Sequence, residues 1–211
     1  MDLTILSAGQ IPDEVLIKKI LSGDKQLFGQ IMRHYNQRLY RIGMSILNDD
    51  QDAEDAMQTA YINAYEHLHA FQERSAFGTW LTRIMLNECL ARKKKKLRLN
   101  MELKRQPGIQ MDMVTPARLL ANKELGGVLE NAMDRLPGKY RLVFVLREIE
   151  ELSVRQTAEI LSIEESNVKT RLSRAKAMLR ENLQGFVKES VYSFHLTRCD
   201  RLVARVLSQI S

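Results

Sequence analysis

Two helix-start signatures nine residues apart constrain this chain more than any other feature. Ser153-Val-Arg-Gln156 and Ser162-Ile-Glu-Glu165 both fit a capping box, in which a serine hydroxyl accepts from a backbone N–H three residues on and a Gln or Glu side chain reaches back to the serine N–H. That spacing leaves room for one short helix, a tight turn and a second helix. Val154, Ala158 and Leu161 line one side of the first; Val168, Leu172, Ala175 and Leu179 line one side of the second. The other face of the second carries Asn167, Thr170, Arg171 and Arg174, flanked by Lys169, Ser173 and Lys176. This is helix-turn-helix patterning, with residues 166–176 as the recognition helix. The periodicity fits a surface amphipathic hairpin equally well.

The rest of the chain reads as helical too. Ten glycines and four prolines in 211 residues leave few breaks, and Ala, Leu, Met, Glu, Lys and Arg dominate. "DEVLIKKILSG" places Val15, Leu16 and Ile20 on one face. "DKQLFGQIMRHYNQRLYRIGMSIL" spaces Leu27, Phe28, Ile31, Tyr35, Leu39 and Ile42 at threes and fours. "DDQDAEDAMQTAYINAYEHL" aligns Ala53, Ala56, Met57, Ala60, Tyr61, Ala64 and Leu68, and "TWLTRIMLNECLARKKKK" is a fourth helix. "KELGGVLENAMDRLPGKYRLVFVLREIEEL" gives two more, broken at Pro137-Gly138, although "YRLVFVL" alone could pass for a strand.

Charge divides the chain. Residues 93–118 carry eight basic and two acidic side chains, and Pro107-Gly108 and Thr115-Pro116 punctuate them. The expected organisation is all-α: a helical domain over 12–96, a basic flexible linker over 97–119, a helix-turn-helix domain over 120–185 and an amphipathic C-terminal helix over 186–211. A basic stretch of this kind is usually a solvated linker, and it can also track phosphates. Cys89 and Cys199 suggest no disulfide framework. With no membrane-length apolar run and no signal peptide, the expectation is a cytoplasmic protein.

Two separate blocks resemble bacterial extracytoplasmic-function sigma factors of the sigma-70 family. "LPGKYRLVFVLREIEELSVRQTAEILSIEESNVKTRLSRAKAMLRENL" resembles their region four. "DAEDAMQTAYINAYEHLHAF" resembles region 2.2, and "FQERSAFGTWLTRIMLNECLARKK" resembles regions 2.3 and 2.4. The blocks stand in the family's order and spacing. The sequence departs from the family pattern at Ser162, where the turn usually holds glycine, and at Gln58-Thr59, where region 2.2 usually reads glutamine-glutamate.

The resemblance implies partners and roles. Core RNA polymerase would be bound through the clamp helices of its largest subunit and through its flap, promoter DNA would be read at two elements, and an anti-sigma factor would regulate the chain. Asp52, Asp55 and Gln58 match the polymerase-docking positions. In the loop "FQERSAF", Phe71, Gln72, Glu73, Arg74 and Ser75 match the pocket for a base flipped out of the −10 element, with Asn87 beside it and Arg83 and Arg92 on phosphates. Lys169, Thr170, Arg171, Ser173 and Arg174 match the −35 face. There Arg174 is the candidate for a bidentate guanine contact and Arg171 for a phosphate.

Plainer readings stand beside these. The acidic cluster Asp49, Asp50, Asp52, Glu54 and Asp55 also complements a helix dipole, and it lacks the glycine and distal glutamate of a calcium loop. Trp80 shares its helix with Leu81 and Ile84 and reads as core. His195 and Cys199 lie one turn apart, but a closed zinc site needs about four ligands, so packing accounts for them. Leu202, Val203, Val206, Leu207 and Ile210 form an apolar stripe that must pack somewhere. No nucleophile–base pair, phosphate loop or cofactor motif is present, so neither catalysis nor a cofactor is expected. A dimeric helix-turn-helix regulator is the alternative; it would have no need of the acidic helix followed by an aromatic-ended loop.

Overall fold

The computed structural model describes residues 11–72, 75–103 and 125–190. Every regular element among them is helical. In chain order these are α1 (Asp13–Leu21), α2 (Phe28–Leu47), α3 (Asp50–Glu66), α4 (Phe77–Leu103), α5 (Leu125–Asp134), α6 (Gly138–Phe144), α7 (Val154–Leu161) and α8 (Glu165–Ser190). Short 3₁₀ turns precede α2 and follow α3, and a π turn over Val145–Ile149 follows α6. Glu73 and Arg74, the stretch 104–124 that holds most of the expected linker, and the C-terminal stripe with His195 and Cys199 lie outside the described residues.

Helices α2, α3 and α4 pack on one another around Ile31, Leu39, Ile42, Leu81 and Met85, all fully buried. The α3 contribution is unusual: Ala53, Ala56, Ala60 and Ala64 are entirely inaccessible, so the helix backbones approach closely. Gly43 in α2 serves the same junction. A Cβ there would stand 3.0 Å from Ala53 Cβ and 3.0 Å from Met85 Cε. Glycine inside a helix costs about 1 kcal/mol relative to alanine, and the close crossing explains its presence.

The α4 helix continues to Leu103, past residue 96, where the sequence pattern suggests that the first domain ends. Lysine, arginine and leucine are good helix formers, but Leu97, Leu99 and Met101 are exposed alongside the lysines, so no apolar face marks this part of the helix in the sequence. "YRLVFVL" is helical, its apolar residues divided between α6 and the π turn.

The second domain is built from α5 to α8. Val143, Ala158 and Val168 form the centre of the helix-turn-helix, with Val154, Leu161, Ile163 and Leu172 around them. The first capping box is complete: Gln156 N–H donates to Ser153 Oγ at 3.1 Å and Ser153 N–H to Gln156 Oε1 at 2.9 Å. The second does not form. Ser162 instead closes α7 in the left-handed conformation (φ 51°, ψ 49°), and α8 starts only at Glu165. The turn between the helices needs a left-handed residue, and the backbone demand at 162 overrides the side-chain cap.

The two domains touch. Leu142, Leu146, Leu152 and Ile160 of the second are buried in one apolar cluster with the core of the first, with α7 against α4 and the α6–π segment against α2.

Candidate polymerase and nucleic-acid interfaces

The acidic start of α3 is individually committed. Asp49 caps the helix, accepting from Asp52 N–H at 2.9 Å. Asp50 accepts from the Tyr40 hydroxyl at 2.5 Å, which pushes that phenol up to about 12. Asp52 accepts from Lys96 Nζ at 2.5 Å and holds the ammonium above its ordinary range. Asp55 lies 3.7 Å from Arg92, and Gln58 is exposed. Asp52, Asp55 and Gln58 thus line the solvent side of α3, opposite its alanine face, and two of the three are bridged to α4.

Arg92 belongs to this arrangement. Its Nη2 donates to the Asp55 carbonyl oxygen at 3.0 Å and to Thr59 Oγ1 at 2.9 Å, and its Nε donates to Glu88 at 2.8 Å. The guanidinium therefore spans α4 and α3. Asn87 and Arg83, about one and a half and two and a half turns earlier on α4, are exposed.

The loop before α4 ends in an aromatic cluster. Phe71 lies edge-on to Phe77 with centroids 5.4 Å apart, and Trp80 tilts against both at 5.3 and 5.5 Å. Phe77 is buried, whereas Phe71 and Trp80 are half-buried, so the cluster has a wall open to solvent beside Gln72 and Ser75. Trp80 packs against the core without being enclosed by it.

On α8, Lys169, Thr170, Ser173 and Arg174 are exposed and Arg171 is half-buried, while Val168 and Ala175 are completely inaccessible. The apolar side anchors the helix and the polar side faces outward, which is the geometry groove insertion requires. Thr170 Oγ1 donates to the Ser166 carbonyl within the helix, and Arg174 Nη1 lies 3.4 Å from the Tyr140 hydroxyl, holding that phenol below its ordinary pKa. Lys176 pairs with Glu148 at 2.8 Å and braces α8 against the π turn.

Several participants are not legible in the sequence. Lys96 sits in a lysine run with nothing to single it out. Tyr140, Arg38, Arg41 and Glu150 act through partners 34 to 112 residues away. Among the described residues, no helix is long and apolar enough to cross a membrane.

Comparison with known proteins gives a consistent picture. The family model described as Sigma-70 region 2 matches residues 31–98, and that described as Sigma-70, region 4 matches residues 127–179. The ECF RNA polymerase sigma factor SigW of Bacillus subtilis is 34% identical over 177 residues, covering 80% of this chain and 95% of that protein. SigM of Mycobacterium tuberculosis is 30% identical, covering 85% and 88%. Among solved structures, CnrH in complex with the cytosolic domain of CnrY superposes with a TM-score of 0.61 at 25% identity, over 82% of this chain and 97% of CnrH. RpoE in complex with the anti-sigma factor NepR, from Bartonella quintana, shares the fold with a TM-score of 0.63 at 23% identity, over 74% and 96%.

Proposed function

Because the chain belongs to the extracytoplasmic-function group of the sigma-70 family, we propose that it docks on core RNA polymerase through α3 and selects promoters through α4 and α8. Sigma factors of this kind are transcription initiation factors rather than enzymes. Asp52, Asp55 and Gln58 form the docking face and give it register and on-rate. Phe71 and Trp80, backed by the buried Phe77, form the wall that stacks a base extruded from the −10 element, with Arg83 and Asn87 following the strand. Lys169, Thr170, Ser173 and Arg174 face the −35 element, and Arg171 holds phosphate. The chain works in the cytoplasm, where core polymerase is. The structure that pairs RpoE with an anti-sigma factor supports a regulator of that kind here as well.

The observation that carries this reading is the pairing, in one chain, of two outward-facing surfaces on separate helical frames. An acidic face on α3 is tied to α4, and a basic face on α8 is backed by Val168 and Ala175. A titration of labelled protein against core polymerase tests it. Asp52→Arg with Asp55→Arg should weaken binding while helicity is unchanged; unaltered affinity would remove α3 from the docking role.

A further inference from the structure

We infer that Tyr140 positions Arg174: its hydroxyl ties one arm of the guanidinium to α6, so that the other donors are aimed outward from α8 before any base is met. This deepens the reading of α8 proposed above and rests on it; the contact between the two residues rests on geometry alone.

Tyr140 is a fixed anchor. Pro137 precedes α6, and its carbonyl oxygen accepts from Tyr140 N–H at 2.8 Å and from Arg141 N–H at 3.1 Å. Arg141 clamps the approach to the helix. Its Nη1 donates to Asp134 Oδ1 at 3.0 Å, and its Nη2 to the carbonyl oxygens of Asp134 and Leu136 at 3.2 and 3.3 Å. Val143 seats α6 on α8, in one buried cluster with Val168. Between these two attachments Tyr140 is left only 7% exposed. Lys139 Nζ stands 5.0 Å from the centre of its ring. That ammonium occupies one face of the ring, and like charge keeps a second cation off it.

Arg174 takes the hydroxyl instead. Its Nη1 lies 3.4 Å from Tyr140 Oη, across 34 positions of sequence. A guanidinium has donors only, so the phenol oxygen accepts. The phenol is held below its ordinary pKa by this bond first and by Lys139 second, as an acceptor beside two cations should be. Packing does not explain the hydroxyl. The ring fills the buried space, whereas the oxygen meets a guanidinium on the exposed face.

The tie bears on how a base is read. An exposed arginine samples many rotamers, and a base contact must freeze them. A bond to an anchored phenol removes part of that cost before DNA arrives. It spends one of the five N–H donors, and guanine O6 and N7 need two of the rest. Without the tie, the guanidinium is free to swing to a neighbouring phosphate, which keeps affinity and gives up discrimination. Tyr140 therefore sets the selectivity of Arg174 without needing to touch the base.

Tyr140→Phe keeps the ring and removes only the hydroxyl, so helicity should be retained. Run-off transcription with core polymerase on a −35 library reads the effect. Arg174→Ala identifies the base pair concerned. At that pair Tyr140→Phe should shrink the ratio between preferred and mismatched promoters about three- to tenfold, and leave the ratios at other positions as they were. Combined with Arg174→Ala, it should shrink that ratio no further than Arg174→Ala alone. A uniform loss at every position, an unchanged ratio, or a further loss in the combined variant overturns the positioning role. Carbon-13 NMR of the tyrosine-labelled full chain tests the contact without DNA. The Tyr140 signal, assigned by its absence in Tyr140→Phe, should titrate at higher pH in Arg174→Ala than in the parent. A titration that does not move overturns the contact whatever transcription shows. If it moves while Arg174→Ala lowers every promoter by one factor, the contact stands, the −35 reading of Arg174 fails, and the positioning role falls with it.

Discussion

Arg92 Nη2 lies 2.9 Å from Thr59 Oγ1 and binds across the gap between α4 and α3. The family's usual glutamate at this position is replaced by a shorter neutral acceptor, and the same nitrogen also takes the Asp55 carbonyl oxygen. An arginine that the family resemblance would put on promoter phosphates is thus engaged in holding α3, the proposed docking helix. Arg92→Ala should cost about 1–2 kcal/mol of stability by removing these bonds. It should also weaken core binding. A denaturant titration and a polymerase titration measure the two effects. If Arg92 also meets a phosphate, its loss would flatten the salt dependence of promoter binding.

Ser162 should respond to substitution by glycine. At φ 51° it occupies the left-handed region, which an L-residue enters at a cost of about 1 kcal/mol. Ser162→Gly should therefore stabilise the second domain by about 0.5–1 kcal/mol, since Ser162 makes no capping bond to Glu165 that would be lost. The urea midpoint should move up without a change in slope.

Much of the architecture is legible in the sequence because it rests on local rules. The Ala53-Ala56-Ala60-Ala64 stripe, the Ser153 capping box and the Val168–Leu172–Ala175 face each follow from spacing, and each stands in the structure as read. Ser162 misleads because one residue can serve as a helix start or a left-handed stop, and only the length of the turn decides. The Glu150 contacts with Arg38 and Arg41 are not legible at all. They join residues 112 and 109 positions apart, and one acid in "LREIEEL" looks like the next until the π turn aims it. Asp52, Asp55 and Gln58 lie on α3 and Lys169 to Arg174 on α8, but nothing in periodicity reveals that Lys96 and Arg92 are occupied by Asp52 and Asp55.

Cys89 should be inert in the folded protein. Burial raises its thiol from the ordinary 9.0 to about 12, with Glu88 adding to the rise. In a Cys199→Ser background, a thiol reagent at pH 8 should react with native protein far more slowly than with unfolded protein. The folded state favours the neutral thiol. Its contribution to stability is therefore complete below pH 9 and is lost as pH rises toward 12. Rapid labelling of the native chain at pH 8 would contradict the burial.

Arg174 and Arg171 should separate by the kind of loss each produces. Arg174 is exposed on the outward face of α8, and Arg171 is half-buried one turn nearer the helix start. Arg174→Ala should remove about 1–3 kcal/mol of discrimination at one base pair and change which −35 variants are used. Arg171→Ala should lower all variants alike and reduce the salt slope. Transcription from a −35 library at two salt concentrations distinguishes them, and a uniform loss with Arg174→Ala would make that residue a positioning contact.

Run-off transcription with purified core polymerase on genomic fragments tests the central claim most directly. The account predicts discrete transcripts that require this protein, that start downstream of paired −10 and −35 sequences, and that disappear with Asp52→Arg and Asp55→Arg although the variant keeps its helicity. Start-site-specific transcription that is the same with and without the protein, together with binding of the protein alone to duplex DNA as a dimer, would contradict it.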